Sequence, residues 1–195
     1  MDVLVIAAHP NPNSFCHAIR STATSALRSA GHQVTEIDLY AAGFIAAMSA
    51  AERTAYHSEQ PILDPQVQHS VTLLQRADVL VFIYPTWWSS LPAILKGWLE
   101  RVMVPGVGFV FNNNGKVRPG LSNIKRIVGI STYGSPRLYV HAINDNGRRI
   151  LSRALRLSTG PSTRMTWLGM YAIDQSTGAQ RQAFLDRVAR RMAAL

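Results

Sequence analysis

The chain has 195 residues, of which 47% are hydrophobic and 16% charged, a composition that excludes disordered, collagen-like and coiled-coil proteins and suits one domain over residues 1–195. Its net charge of +9 is uneven, because residues 1–100 hold five basic and eight acidic side chains whereas residues 101–195 hold fifteen and three. The one cysteine, Cys16, excludes an internal disulfide, a zinc finger and an iron–sulfur cluster.

The first half of the chain alternates strand and helix patterns. Residues 3–8 are an unbroken apolar run, typical of a strand that a parallel sheet buries on both faces, whereas residues 34–39 alternate like a half-buried edge strand. Apolar residues at helical spacing predict helices over residues 15–30 and 67–77. Residues 41–63 form an excursion with at most one short helix, and connections of that length are usually functional or interfacial.

The second half continues the same alternation. Residues 79–84 are another buried-strand pattern, and residues 127–130 and 165–171 are two further strand candidates. Between and after these strands the apolar spacing predicts helices over residues 91–102, about 140–157 and 178–195. For the first of these helices we expect Ser90 as the N-cap with Pro92 in the first turn. The last helix has one apolar face, formed by Phe184, Leu185, Val188 and Met192.

Five successive strand–helix units predict an α/β fold, a three-layer sandwich with helices on both faces of a parallel five-stranded sheet. An edge second strand beside buried first and third strands favours the order 2-1-3-4-5, the flavodoxin-like arrangement. In that order ligands bind outside the carboxyl ends of the strands, where the order reverses. The loops over residues 9–14, 85–91 and 131–139 are therefore the predicted site.

The first of these loops, HPNPNS over residues 9–14, leaves a central strand and enters a helix. Free N–H groups at the helix N-terminus, the Ser14 hydroxyl and the His9 imidazole suit a phosphate. Two less specific roles stay open: Ser14 as a simple N-cap and His9 as a loop residue. The dinucleotide and Walker glycine patterns are missing, and Asn11 and Pro12 stand where the zinc-dependent deacetylases with a similar His-Pro start carry aspartates.

The other two loops supply aromatic rings and hydrogen-bond donors. Trp87 and Trp88 are adjacent, so both cannot face the same core, and we expect at least one of them to contact a ligand or a partner subunit. The segment of residues 131–135 offers amides and hydroxyls, and Tyr139 and His141 follow as groups able to handle protons. A phosphate site, an aromatic wall and a row of donors predict a pocket for a large, flat, phosphorylated molecule, and a flavin fits that description best.

These residues resemble the flavodoxin-like NAD(P)H:quinone oxidoreductases, which include DT-diaphorase, the bacterial modulators of drug activity and the ancillary flavoproteins of potassium efflux systems. Pro85 with TWWSSLPAILKGWLERV over residues 86–102 is very similar to the family's signature, Pro-x-x-Trp-x-x-x-Pro-Ala-x-Leu-Lys-Gly-Trp followed by an acid and Arg-Val. Weaker collinear matches are His9 with Ser14-Phe15, Asp38-Leu39-Tyr40 with Phe44, Glu52 and Tyr56, and GFVF over residues 108–111.

The resemblance implies a set of functional residues. The residues implied to bind the flavin are His9, Ser14, Phe15, Cys16, Pro85, Thr86, Trp87, Trp88, Ser131, Thr132, Tyr133 and Gly134. Tyr133 departs from the family's Thr-Thr-Gly-Gly loop, and its side chain is expected to narrow the acceptor site or alter the backbone there. Tyr139 falls at the family's catalytic tyrosine, and the histidine that often works with it is replaced by Asp145 or displaced to His141.

The same resemblance implies a mechanism and partners. FMN or FAD, bound non-covalently, takes a hydride from NADPH or NADH and passes two electrons to a quinone or similar acceptor. Donors at Thr132, Gly134 and Tyr139 would stabilise the negative charge of the reduced flavin. The acceptor then occupies the vacated nicotinamide position in a ping-pong cycle, and the chain is expected to form a homodimer.

Several alternatives accompany this interpretation. A regulatory flavoprotein that binds a membrane potassium efflux transporter would use the arginine clusters of the basic half, whereas solvated helix faces explain the same clusters without any partner. An electron-carrier flavodoxin is disfavoured by the basic charge, and a nucleic-acid partner lacks any motif. With no secretory pattern and no membrane-length apolar run, we expect a cytoplasmic protein, peripheral at the inner membrane surface in the regulatory alternative.

Overall fold

The computed structural model describes residues 1–195 and contains seven strands and eight α-helices. The strands are β1 (Asp2–Ala7), β2 (Gln33–Asp38), β3 (Val79–Pro85), β4 (Phe109–Phe111), β5 (Val117–Pro119), β6 (Arg126–Thr132) and β7 (Arg164–Met170). The helices are α1 (Phe15–Ser29), α2 (Ala50–Ala55), α3 (Pro65–Arg76), α4 (Ala93–Val102), α5 (Arg137–Ala142), α6 (Asn146–Arg149), α7 (Arg156–Thr159) and α8 (Gly178–Ala193). A π-helical segment, Ile150–Leu155, joins α6 to α7.

The central sheet is parallel and has the order β2-β1-β3-β6-β7, which confirms the predicted flavodoxin-like arrangement. Val5 is level with Glu36 of the edge strand on one side and with Val81 on the other. All seven residues of β3 are buried, as their unbroken apolar run predicts, whereas β2 has no buried residue.

Successive side chains of the strands pack alternately into two separate cores, one on each face of the sheet. Leu4, Ile6 and Phe82 point to one face of the sheet, where α3 and α4 cover them. Val3 and Val5 point to the other face, against α1 and α8. Since full burial of such a side chain contributes about 1.5–3 kcal/mol, the two cores account for the three-layer sandwich.

The helix α1 starts where the sequence predicts. The Ser14 hydroxyl accepts a hydrogen bond from the His17 N–H at 3.3 Å and so caps the helix. Ile19, Ala23 and Leu27 form its buried stripe, while its N-terminus points to the carboxyl edge of the sheet. The loop before this helix thereby lies at the end of β1.

Two helix predictions are wrong in detail. Helix α4 starts at Ala93 with Pro92 at the cap position, and Ser90 instead closes a turn with Trp87 through two backbone hydrogen bonds. The helix predicted over about residues 140–157 is broken into α5, α6, the π-helical segment and α7. The break comes from Asn144 and Asp145, whose φ angles of 84° and 39° are left-handed and cannot continue a right-handed helix.

The excursion after β2 is held against α4 by one buried arginine. Arg101, on α4, donates to Glu52 at 2.8 Å, to Asp64 at 2.7 Å and to the backbone oxygen of Ile45. Its guanidinium also lies over the ring of Phe44, 5.0 Å from the centroid. The one short helix of the excursion, α2, agrees with the prediction.

A two-stranded antiparallel sheet, β4–β5, was not predicted. Phe109 pairs with Pro119, and Phe111 with Val117, across a turn in which Gly115 has a φ of 69°. Three-residue strands give too little alternation to be recognised in a sequence. No helix of the structure combines the length and the apolar character that crossing a membrane requires.

Candidate functional site

The three predicted loops leave adjacent strands and contact one another. The Thr86 N–H donates to the Thr132 oxygen at 2.7 Å, and the Thr86 and Ser131 hydroxyls lie 2.8 Å apart. The rings of His9 and Trp87 lie 5.9 Å apart, centroid to centroid. The carboxyl ends of β1, β3 and β6 therefore carry one continuous site.

The first loop is organised around His9. Its Nδ1 accepts a hydrogen bond from the Asn11 N–H at 3.1 Å, so the neutral ring carries its proton on Nε2. Burial lowers the pKa of His9, with a smaller opposing effect from the bond to Asn11, so the ring is neutral at pH 7. The Asn13 N–H donates to the side-chain oxygen of Asn11 at 2.8 Å and fixes the loop.

A cavity of about 840 Å³ opens beside this loop and the start of α1. Ser14 lines it, and because the Ser14 oxygen accepts from His17, the hydroxyl proton is free to be donated. The N–H groups of Phe15 and Cys16, in the first turn of α1, have no carbonyl partner within the helix. These donors suit an anion such as a phosphate.

Three further residues of this cavity were not predicted. His17, Arg20 and Asp38 line its floor, and Arg20 forms an ion pair with Asp38. The Nε2 of His17 lies 3.8 Å from the same carboxylate. Asp38 ends β2 at the carboxyl edge of the sheet, a position that could have singled it out from the sequence.

Cys16 contributes no exposed side chain. The residue is buried, its Sγ lies 3.5 Å from the Thr132 hydroxyl, and burial raises the pKa of the thiol to about 11. The thiol is therefore protonated and packs behind the site, as a small apolar residue would. Any contact of Cys16 with a ligand is through its backbone N–H.

The second loop presents its tryptophans at the end of β3. Trp88 and Ser89 both have positive φ angles, 47° and 59°, between the paired residues Trp87 and Ser90. This conformation is rare for residues other than glycine and marks a locally strained turn. Trp88 is 99% exposed and Trp87 is 42% exposed, so neither ring packs into the core. Pro85, which ends β3, is buried and pairs with Thr132.

In the third loop Tyr133 is part of the framework. Its N–H donates to the Met170 oxygen at 2.8 Å, so this amide is not available to a flavin. This hydrogen bond forms because the pairing of β6 with β7 continues one residue beyond β6. The ring stacks on Tyr171 at 4.5 Å, and its hydroxyl donates to Asp145 at 2.9 Å.

A second cavity, of about 390 Å³, lies between the second and third loops. Four backbone N–H groups along its wall make no hydrogen bond within the chain; they belong to Trp88, Ser89, Gly134 and Ser135. Tyr139, 56% exposed, and Asp145 also line this cavity. His141 does not; it lines a neighbouring cavity with Arg137, Arg148, Tyr171 and Asp145. Of the three predicted catalytic residues, Tyr139 and Asp145 line the second cavity, whereas His141 shares only the neighbouring cavity with Asp145.

Comparisons with known proteins agree on the fold. A family model described as a flavodoxin-like fold matches residues 1–195. An NAD(P)H:quinone oxidoreductase from Methanothermobacter marburgensis superposes with a TM-score of 0.82 and 26% identity, over 99% of this chain and 94% of that one. An FMN-dependent NADH-azoreductase from Bacillus anthracis, solved in complex with FMN, superposes with a TM-score of 0.78 over 99% and 98% of the two chains, and at 14% identity it shows the shared fold alone.

Among curated proteins, NAD(P)H dehydrogenase (quinone) 1 from Rattus norvegicus is 32% identical over 151 residues, which are 70% of this chain and 55% of that protein. The chain thus spans about half of this relative's length. The expectation of a membrane transporter partner gains no support from these likenesses.

Proposed function

The chain belongs to the family of flavodoxin-like folds, and from that premise we propose that it is a flavin-dependent NAD(P)H oxidoreductase that passes two electrons to a quinone or similar acceptor. The observation that carries the proposal is the convergence of the three loops on two cavities at the carboxyl edge of β1, β3 and β6. Its relatives named as quinone-reducing dehydrogenases support the same activity.

The first cavity suits the phosphate end of a flavin. Ser14 and the first N–H groups of α1 supply donors, and the one carboxylate on the floor, Asp38, is neutralised by Arg20. An anionic ligand therefore meets no uncompensated negative charge there. The volume of about 840 Å³ leaves room beyond a single phosphate, so the cavity is compatible with either FMN or FAD.

The second cavity suits a flat ring. Trp88 supplies an aromatic side chain at the cavity, and Gly134 and Ser135, whose N–H groups are free, line the same space. When bound, a flavin supplies a centre that accepts a hydride from a reduced nicotinamide and gives two electrons to an acceptor. The chain's own contribution is to position the ring and to present N–H donors near the place where negative charge develops.

Tyr139 is the side chain best placed to act in this cavity. It lines the same cavity as Trp88 and lies on α5, four residues before the C-cap residue Ile143, which also lines the cavity. It offers an O–H donor and is not part of the packed core. We assign it the role of donating a hydrogen bond that strengthens as charge forms, while the backbone hydrogen bond from Thr86 to Thr132 joins the second and third loops.

One cavity beside the ring position serves both substrates, so the nicotinamide must leave before the acceptor enters. Initial rates with NADPH or NADH, at several fixed concentrations of 2-methyl-1,4-naphthoquinone, should then give parallel double-reciprocal lines. Intersecting lines would require a ternary complex and refute the single-cavity cycle. No quinone-dependent oxidation of either nucleotide by the flavin-loaded protein would refute the proposed activity itself.

The exposed apolar residues around the second cavity support a homodimer. Trp88, Leu138 and Tyr139 are 99%, 86% and 56% exposed beside the site. Ile45 and Leu63 of the excursion are 65% and 51% exposed. Exposed apolar side chains of this kind favour a protein contact, and a second copy on this side would close the open side of the cavity.

A further inference from the structure

One negative charge faces the second cavity. Ten residues line this space, and Asp145 is the only acidic or basic side chain among them. The net charge of +9 is carried elsewhere on the chain. A charged group on a ligand in this cavity would therefore interact first with the Asp145 carboxylate, with the Asp174 carboxylate beside Gly134 as a further negative charge nearby.

The carboxylate is fixed by its own hydrogen bonds. The Tyr133 hydroxyl donates to one oxygen at 2.9 Å, and the Arg148 N–H donates to the other at 3.3 Å. The left-handed conformations of Asn144 and Asp145, which both residue types tolerate, turn the chain so that this side chain reaches Tyr133. These two hydrogen bonds therefore hold the Asp145 carboxylate in place at the wall of the cavity.

Tyr133 is itself a rigid support. It is 1% exposed and stacks on Tyr171 with an interplanar angle of 14°. Burial, reinforced by the nearby carboxylate, raises the pKa of Tyr133, so the phenol stays protonated and keeps donating at every working pH. Tyr133 therefore acts on the cavity as a positioning residue, through Asp145.

No cation neutralises the charge at close range. Asp145 forms none of the ion pairs of the chain, which join Arg20, Arg28, Lys96, Arg101, Lys125 and His17 to other carboxylates. Arg137, His141 and Arg148 line a neighbouring cavity that Asp145 also lines, but none of them forms an ion pair with its carboxylate. The donors that hold Asp145, a phenol and an amide, are uncharged.

We propose that Asp145, positioned by Tyr133, selects electron acceptors by charge: the second cavity admits neutral and cationic rings and disfavours rings that carry an anionic group. The inference rests on the proposed function, since it takes the open side of this cavity, beside the bound flavin ring, as the acceptor's place. For charges about 6 Å apart, the disadvantage of an anionic acceptor is about 3-fold at an effective dielectric constant of about 80 and about 100-fold at about 20.

The test compares two acceptors that share a ring system, the neutral 2-methyl-1,4-naphthoquinone and the anionic 1,4-naphthoquinone-2-sulfonate. Their Kd values for the oxidised, flavin-loaded protein are measured by quenching of tryptophan fluorescence, since Trp88 lines the cavity. Asp145→Asn removes the charge and keeps the shape, and Asp145→Ser removes it while retaining a residue that can cap the Arg148 N–H. Asp186→Asn, on the exposed face of α8, changes the net charge equally and is the control.

We expect both Asp145 variants to improve the Kd of the sulfonate relative to that of the neutral quinone by at least about 3-fold, with Asp186→Asn unchanged. An unchanged ratio in the Asp145 variants, or the same shift in Asp186→Asn, would overturn the inference. The rate at which each quinone is reduced by NAD(P)H is measured separately. If the native protein reduces neither quinone although the binding ratio shifts, the proposed function fails and the charge selection stands.

Discussion

Tyr139 lies half-exposed on the wall of the second cavity, where its phenol can reach a ring bound beside Trp88. If this O–H stabilises charge that appears only on reduction, Tyr139→Phe should retain its flavin but slow reduction by NAD(P)H. Loss of one such donor costs about 10²- to 10³-fold in a dry site, and we expect about 10-fold in this open one.

Anaerobic stopped-flow absorbance measures the rate of that reduction. Tyr56→Phe removes a phenol from the excursion, away from the cavity, and should reduce at the native rate. A Tyr139→Phe variant as fast as the native protein would leave Tyr139 with no more than a packing role.

Ser14 differs from Tyr139 because its contact is with the phosphate end of the ligand, which keeps its charge when the ring is reduced. Ser14→Ala should therefore weaken flavin binding and lower flavin content, yet leave the reduction rate of the loaded molecules unchanged. It also removes a helix cap, which costs about 1 kcal/mol of stability.

Ser49→Ala serves as the matched control, because Ser49 caps α2 outside the site in the same manner. Equilibrium dialysis of the apoprotein with FMN and with FAD gives the dissociation constants. Equal losses of flavin affinity in the two variants would mean that Ser14 acts through helix stability alone.

At the scale of elements, Arg101 joins α4 to the excursion through Glu52 and to the start of α3 through Asp64. Arg101→Met should leave Glu52 and Asp64 as partly buried charges without their partner. Breaking a buried pair costs about 3–5 kcal/mol, and the partial exposure of the two carboxylates places this site at the lower end. Urea unfolding at pH 7 measures the loss.

The same network makes stability depend on pH. The hydrogen bond from Arg101 lowers the pKa of Asp64, and the Ser49 and Arg101 donors lower the pKa of Glu52 against the opposing effect of burial. Carboxyl groups with lowered pKa values stabilise the fold above their unfolded pKa values, about 4, and lose that contribution as the pH falls through the folded values. Native stability should thus drop more steeply below about pH 4 than that of Arg101→Met.

Lys96→Met breaks only the exposed Lys96–Glu100 pair on the same helix and should change stability by less than about 1 kcal/mol. A similar small loss in Arg101→Met would show that the excursion is held by apolar packing, with Phe44 as its main contact.

The long elements could be predicted because buried segments are rich in apolar residues. The run over residues 79–84 is apolar throughout since β3 is covered on both faces, and the edge position of β2 follows from its alternation. The interruption at Asn144 and Asp145 could not be predicted, because both residues are compatible with a helix and only their tertiary setting selects the left-handed conformation. The strands β4 and β5 could not be predicted because three residues are too few to show an alternating pattern.

The site was predictable to the same degree. The switch point of the sheet placed the three loops together before any contact was known. Contacts among side chains of distant segments were not accessible: the bond between Tyr133 and Asp145, the stacking on Tyr171 and the position of His141 outside the cavity depend on how α5 is turned.

At the scale of the whole molecule, the apolar surface near the second cavity predicts assembly. Sedimentation equilibrium at micromolar concentration should give about twice the chain mass of 21.5 kDa. Leu138→Glu, which puts a charge on an 86% exposed leucine beside the site, should favour the monomer. Leu157→Glu, on α7 and 78% exposed, is the control. A native protein that sediments at the mass of one chain would contradict the proposed homodimer.

The basic half of the molecule is largely unpaired. Of its fifteen lysines and arginines, only Arg101 and Lys125 form ion pairs. Arg190 and Arg191 on α8 are exposed, as the solvated-face interpretation of these clusters requires.

The central claim is that this fold holds a flavin that a reduced nicotinamide reduces and a quinone reoxidises. An anaerobic absorbance titration of the purified protein tests it most directly. We expect a yellow protein with one non-covalent flavin per chain, whose absorbance near 450 nm (about the usual flavin maximum) bleaches with one equivalent of NADPH or NADH and returns with one equivalent of 2-methyl-1,4-naphthoquinone, in accord with the cofactor's two-electron chemistry. A colourless protein that takes up neither FMN nor FAD, or a bound flavin that neither nucleotide bleaches, would contradict the claim.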